Sequence, residues 1–195
     1  EAERNGRVFK VVYEGRLGTP KKIHRFVEPF KQYIIDQGHS DFRFMILGPA
    51  EGDQGEKLQE EIERNDAKSS IIYIPKYLTS EEMREIYRAS NAFVFPTSRE
   101  TYGLSQLEAL SCGTPTVAPA GNDWSTNVLP SMANIKSYPL TFRAGQCWSS
   151  TSQRITEPDH DWEGACHRLL WIRNNYNNAK KITGEWKEYI KDSMS

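Results

Sequence analysis

The chain has 195 residues, with 25 lysine and arginine residues against 26 aspartate and glutamate residues, for a formal net charge of −1. This balance argues against bulk attraction to nucleic acid, and no apolar run approaches the roughly 20 residues that span a bilayer. The three cysteines are odd in number and widely spaced, which argues against a disulfide scaffold and predicts a reducing, cytoplasmic location; they are Cys112, Cys147 and Cys166.

Short apolar segments alternate with helical patterns along the chain. The segments 8–13, 42–47, 71–74, 92–95 and 116–118 are predicted strands, and 23–36, 55–65, 80–89, 104–111, 162–174 and 178–192 are predicted helices. Thr79 or Ser80, with acidic residues directly after it, predicts the start of the third helix. This alternation predicts an α/β fold with a Rossmann-like, doubly wound parallel sheet in one domain. Residues 134–156 break the pattern, and we predict an inserted hairpin or irregular excursion there.

The segment from residue 98 to residue 115 carries the strongest chemical signal. Glu100 and Glu108 stand on either side of Gly103, where a polar loop turns into a helix. The N–H groups of residues 102–105 would form an anion site at the helix N-terminus. Helical spacing places Glu108 with Leu104 on the side that faces the sheet, so its carboxylate needs hydrogen-bond donors such as ribose hydroxyls or a neighbouring cation.

Two interpretations of this segment stay open from spacing alone. In one, a nucleotide lies with its phosphates on the helix tip and its ribose against Glu108. In the other, Glu108 is an ordinary surface residue and Glu100 is a helix N-terminal charge.

A basic loop follows the first predicted strand. Arg16, Lys21 and Lys22 lie directly after it, and cations at the end of a strand favour a phosphate role over a solvated charge pair. Gly15-x-x-Gly18 lacks the third glycine of a dinucleotide fingerprint. The acids of Asp159-His160-Asp161 are interpreted as helix N-terminal charges, so no metal site is predicted.

The sequence from Glu100 to Val117, with seven residues between Glu100 and Glu108, resembles the signature of retaining glycosyltransferases with the GT-B fold. The resemblance is to family 4, the glycosyl transferases group 1. It extends in order over roughly residues 8 to 130, through the segments 12–17, 44–49, 71–74 and 78–91, with Lys21-Lys22 as the family's basic diphosphate loop.

The resemblance implies roles for individual residues. Arg16 and Lys22 (or Lys21) would neutralise the donor diphosphate, Glu100 would face the donor sugar, and Glu108 would hold the ribose hydroxyls. Arg16, Lys22 and Glu100 are therefore the predicted catalytic residues. The predicted donor-binding set is Gly15, Arg16, Lys21, Lys22, Ile74, Tyr77, Leu78, Glu100, Thr101, Tyr102, Gly103, Leu104 and Glu108, in which residues 74–78 would border the nucleobase and the backbone from Thr101 to Leu104 would bind phosphate.

The resemblance also implies an activity and an architecture. Residues 1–195 would be the C-terminal domain that binds a nucleotide-diphosphate sugar, such as a UDP-, GDP- or ADP-sugar, for transfer to an acceptor hydroxyl with no metal or other cofactor. The partner would be an N-terminal acceptor domain absent from this chain, which could add peripheral membrane association; alone, the chain would have little or no turnover. Two alternatives stay open: a sugar-nucleotide epimerase on the same fold, and a nucleotide-sugar binding module without catalysis.

Overall fold

A six-stranded parallel sheet organises the part of the chain that the computed structural model describes, namely residues 8–18, 21, 23–96, 103–120, 140–143 and 161–194. Its strands are β1 (Phe9–Glu14), β2 (Phe42–Leu47), β3 (Ile71–Ile74), β4 (Ala92–Val94), β5 (Thr116–Ala120) and β6 (Leu140–Arg143). They lie in the order β3-β2-β1-β4-β5-β6, and all pairings are parallel. The order reverses between β1 and β4, so their carboxyl ends open a crevice of the kind in which open α/β sheets bind ligands.

Helices cover both faces of the sheet. They are α1 (Val27–Phe30), which lies between a 3₁₀ turn (Ile23–Phe26) and a π-helical turn (Lys31–Ile35), then α2 (Gln54–Arg64), α3 (Ser80–Ala89), α4 (Leu104–Ser111), α5 (Trp162–Asn174) and α6 (Tyr176–Met194). The predicted helix 23–36 is therefore present in an irregular form. Pro29 lies within it, and proline has no N–H to donate to the preceding turn.

The alternation of side chains along β1 separates two apolar cores. Val11 and Tyr13 face a cluster that includes Phe26 and Phe30 and the buried side of α5. Val12 faces a second cluster on the opposite side, with residues of α3 and α4. Because successive side chains of a strand point to opposite faces, one apolar strand supports both layers, and the predicted doubly wound α/β fold is confirmed.

The prediction for residues 134–156 needs correction where the structure describes them. Leu140–Arg143 is a strand of the main sheet, with Leu140 opposite Val117 and Arg143 opposite Ala120. This pairing occupies hydrogen-bonding groups that β5 would otherwise present at a sheet edge. The remainder of the predicted hairpin lies outside the described residues.

Candidate functional site

Two glycines bring the loops after β1 and β2 into contact. Gly48 has φ +124°, and a Cβ atom there would lie 2.3 Å from the carbonyl oxygen of Gly15, which itself has φ +145°. The loops are then joined by Leu17, whose N–H donates to the Pro49 carbonyl at 2.8 Å and whose carbonyl accepts from the Glu51 N–H at 2.9 Å. The close approach fixes the course of the basic loop at the carboxyl end of β1.

The two described cations of this loop lie on different sides of it. The Arg16 guanidinium donates to Glu51 Oε1 at 2.8 Å, and this bond, followed by the influence of Tyr77, raises the pKa of Arg16 above its ordinary value. Lys21 instead places Nζ 5.4 Å from the ring centroid of Phe95, which follows β4. The Arg16–Glu51 pair is solvent-exposed, and exposed ion pairs contribute little to stability, so Arg16 can exchange Glu51 for another anion at little cost.

Helix α4 starts at the predicted position but presents a different face to the sheet. Gly103 is its N-cap with φ +59°. Its buried side chains are Gln106, Leu107, Ala109 and Leu110, whereas Leu104 is 65% exposed and Glu108 is exposed as well. The prediction that Leu104 and Glu108 face the sheet is wrong, because Leu107 and Leu110 pack against α6 and set the orientation of the helix.

A hydrogen-bonded cluster connects β1, α3 and α4 below this crevice; we call it the Tyr87 cluster, and it consists of Glu14, Tyr87, Ser105 and Glu108. The Tyr87 hydroxyl lies 3.4 Å from Oε2 of Glu14 and 3.4 Å from Oε2 of Glu108. The Ser105 hydroxyl donates to Glu14 Oε2 at 2.6 Å. Two carboxylates from separate elements thus share the neighbourhood of one buried tyrosine.

The environment of the Tyr87 cluster changes the acidity of its members. Partial burial, followed by repulsion from Glu14, raises the pKa of Glu108, while the hydrogen bond from Tyr87 acts in the opposite direction. Burial and the two carboxylates raise the pKa of the Tyr87 hydroxyl. Tyr87 therefore keeps its hydroxyl proton and stays a hydrogen-bond donor throughout the physiological range.

The structure brings many of the predicted residues together. Gly15, Arg16, Lys21, Gly103, Leu104 and Glu108 lie around the carboxyl ends of β1 and β4. Ile74 ends β3 and Leu78 follows it, and both pack, half-buried, against the apolar cluster that includes Tyr87. Tyr77 between them is 72% exposed. Four further predicted residues lie outside the described residues: Lys22, Glu100, Thr101 and Tyr102.

Sequence reasoning missed four residues that the structure adds to this region: Glu14, Glu51, Tyr87 and Ser105. For Glu14 a signal was available, because strand alternation places it on the same face as Val12, towards α3 and α4. Tyr87 lies 73 residues from Glu14 along the chain, and no local pattern connects them. By itself, the position of Tyr87 on α3 indicates only a tyrosine of the apolar core.

Within the described ranges, no group of three or more histidine, cysteine, aspartate or glutamate side chains is placed to hold a metal ion. Asp161 caps α5 by accepting from the Gly164 N–H at 2.8 Å, which confirms its predicted role; Asp159 and His160 lie outside the described residues. Among the helices that the structure describes, none has the length and apolar character needed to cross a membrane.

Residues 8–128 match the sequence model of the family described as glycosyl transferases group 1, a match over more than half of the chain. The chain belongs to this family. It is 33% identical over 110 residues to the D-inositol 3-phosphate glycosyltransferase of Pseudarthrobacter chlorophenolicus. That alignment covers 56% of this chain and 26% of the relative, so the matched part spans about a quarter of the relative's length.

Solved structures show that the chain has the Rossmann-like fold of the C-terminal half of a GT-B protein. The C-terminal domain of LpcC, a glycosyl transferase group 1 family protein from Francisella tularensis, matches with a TM-score of 0.71 at 16% identity, over 98% of this chain and 89% of that one. HepE from Anabaena, solved in complex with UDP, also gives a TM-score of 0.71, at 13% identity over 95% of this chain and 44% of that one. The predicted family and fold are confirmed.

Proposed function

We propose that this chain is the donor-binding domain of a retaining glycosyltransferase, which transfers a sugar from a nucleotide-diphosphate sugar to an acceptor hydroxyl. The observation that carries the proposal is the meeting of Arg16, Lys21 and Glu108 around the carboxyl ends of β1 and β4. Cations for a diphosphate and a carboxylate for a ribose thus come from the elements that border the crevice where the strand order reverses. The binding of UDP by HepE, which shares the fold, supports the choice of ligand.

The diphosphate would lie between the basic loop and the start of α4. Arg16 would exchange Glu51 for phosphate oxygens, Lys21 and Lys22 would add positive charge, and N–H groups at the start of α4 would donate hydrogen bonds to the diphosphate. The same groups would stabilise the negative charge that grows on the diphosphate as the sugar leaves. The scheme uses this chain's own cations and includes no bound metal or cofactor.

We assign the remaining donor contacts as the resemblance to the family implies them. Glu108 would accept hydrogen bonds from the ribose hydroxyls, and Ile74, Tyr77 and Leu78 would border the nucleobase. Glu100, with the backbone of Thr101 and Tyr102, would face the sugar and its phosphate. In this scheme the acceptor attacks on the face from which the diphosphate leaves, the diphosphate takes the acceptor's proton, and Glu100 orients the sugar.

Binding of nucleoside diphosphates tests this proposal. We expect the 195-residue chain to bind at least one of UDP, GDP and ADP in titration calorimetry. Glu108→Ala should weaken that binding by about 1.5–3 kcal/mol, roughly 10- to 150-fold, because charge-assisted hydrogen bonds to ribose are lost. Glu60→Ala, an exposed change on α2, is the matched control and should leave affinity unchanged.

Two results would contradict the proposal. If the unsubstituted chain bound none of the three nucleotides, its donor role would be wrong. If Glu108→Ala bound as tightly as the unsubstituted chain, the ribose role of Glu108 would be wrong.

A further inference from the structure

We propose that Glu14 is a specificity residue of the donor site, which accepts a hydrogen bond from one hydroxyl of the ribose while Glu108 accepts from the other. The chain would then select ribonucleoside over 2′- or 3′-deoxyribonucleoside diphosphates. This inference rests on the proposed function and adds a residue to it. Glu14 is the last residue of β1, on the strand face that points towards α3 and α4.

The geometry of the Tyr87 cluster places the two carboxylates side by side. Oε2 of Glu14 and Oε2 of Glu108 each lie 3.4 Å from the same Tyr87 oxygen. Glu14 comes from the end of β1 and Glu108 from the second turn of α4, so the pair joins β1 to α4 below the crevice between β1 and β4. The two acids are therefore neighbours of one ligand position.

The Tyr87 cluster has fewer hydrogen-bond donors than hydrogen-bond acceptor positions. The hydroxyls of Tyr87 and Ser105 supply one proton each, and both approach the Oε2 atoms. Within the described part of the chain, neither Oε1 atom takes part in a hydrogen bond that the structure shows. An ionised carboxylate with an unused oxygen is a strong acceptor, so each acid has one acceptor position left for a ligand.

A vicinal diol matches this arrangement. It carries two hydroxyl donors on adjacent ring carbons, and two neighbouring carboxylates can each take one of them. Partial burial and, after it, repulsion from Glu14 raise the pKa of Glu108. Donors that contact both acids offset this repulsion. Ribose supplies such a diol, whereas a deoxyribose supplies a single hydroxyl.

Ser105 offers a competing role for Glu14. The bond from the Ser105 hydroxyl to Glu14 joins the first turn of α4 to the end of β1, so Glu14 could act by holding the helix in place. A clamp of this kind would support binding of every nucleotide equally. Discrimination between sugars therefore separates the two roles.

The test compares the affinities of two proteins, the unsubstituted chain and Glu14→Ala, for three ligands. Calorimetry would compare the 195-residue chain with Glu14→Ala, using the tightest binder among UDP, GDP and ADP together with its 2′-deoxy and 3′-deoxy analogues. For the unsubstituted chain we expect each deoxy analogue to bind about 10-fold or more weakly, the loss typical of a charge-assisted hydrogen bond. For Glu14→Ala we expect one of the analogues to bind as well as the ribonucleotide.

Two further variants are included so that the comparison distinguishes the two roles of Glu14. Glu14→Gln preserves the size of the side chain and should show the same pattern with a smaller loss, which covers the case in which Glu14→Ala does not fold. Ser105→Ala removes the clamp but keeps the carboxylate, so it should retain full discrimination between ribose and both deoxyriboses.

The outcomes separate this inference from the proposed function. If Glu14→Ala and Glu14→Gln weaken all three ligands by one common factor, Glu14 serves as a clamp and the inference is overturned, while the donor role stands. If the unsubstituted chain binds no ribonucleotide, the donor role fails and the inference fails with it. Loss of discrimination in Ser105→Ala would also assign the effect to the clamp.

Discussion

The site requires glycine at position 48, because the neighbouring loop leaves no room there for a side chain. An alanine Cβ there would lie 2.3 Å from the Gly15 carbonyl oxygen, on a backbone with φ +124°. We expect Gly48→Ala to lower the free energy of unfolding by about 3 kcal/mol or more, since a left-handed backbone costs about 1–2 kcal/mol and overpacking about 1–3 kcal/mol. Urea denaturation measures the loss.

Gly52 is the matched control for that change. It also has a positive φ, +55°, but a Cβ there would meet nothing within 4 Å. Gly52→Ala should therefore cost only the backbone part, about 1–2 kcal/mol. Equal losses in the two variants would show that the contact between the β1 and β2 loops is unimportant.

The capping box at the start of α3 is the clearest local signal among the helices. The Thr79 hydroxyl accepts from the Glu82 N–H at 3.2 Å, and the Glu82 carboxylate accepts from the Thr79 N–H at 2.7 Å. The latter bond holds the pKa of Glu82 below its ordinary value, so this half of the box is present at neutral pH and is lost as the pH falls through that lowered pKa.

Removal of the threonine hydroxyl tests how much this cap stabilises α3. We expect Thr79→Ala to cost about 1 kcal/mol of unfolding free energy at pH 7, and Thr79→Ser to cost little, because serine is an equivalent cap. Thermal and urea denaturation of both variants measure this difference. A serine variant as unstable as the alanine variant would contradict a role for the hydroxyl.

The packing of α6 on α4 connects the end of the described chain to the site. Trp186 is fully buried against Leu107, Leu110 and Ile190, and the Lys180 ammonium group donates to the Gly113 carbonyl just after α4. Because these contacts determine which face of α4 is turned outward, they position Glu108. The terminal helix therefore acts on the site through α4.

Truncation of Trp186 should therefore affect both stability and binding. We expect Trp186→Ala to cost about 3–5 kcal/mol of unfolding free energy and to weaken binding of the nucleotide identified above. Trp171→Ala is the comparison, since Trp171 is half-buried on the other face of the sheet; it should lower stability less and leave affinity unchanged. Unaltered nucleotide affinity in a folded Trp186→Ala variant would contradict this coupling.

Local sequence patterns were sufficient to predict most of the strands and helices of the fold. The apolar segments 42–47 and 71–74 are the strands β2 and β3 with the predicted bounds, and Thr79 and Gly103 stand where α3 and α4 begin. Strand alternation, capping and glycine conformation involve residues that are close in the chain, so their physics is present in any short segment. The basic loop and the start of α4 were predicted to share one site through the resemblance to the family, because proximity between such distant segments depends on the fold.

The relative positions of the helices and strands depend on contacts between residues that are far apart in the chain. Which face of α4 points outward depends on its packing against α6, some 80 residues later in the chain. β6 forms a strand by pairing with the edge of β5. The Tyr87 cluster joins residues 73 and 21 positions from Tyr87. Residue types and local order thus established the family, the elements and most of the candidate donor residues, whereas Glu14 joined Glu108 through tertiary packing, because proximity between distant residues depends on how strands and helices are stacked.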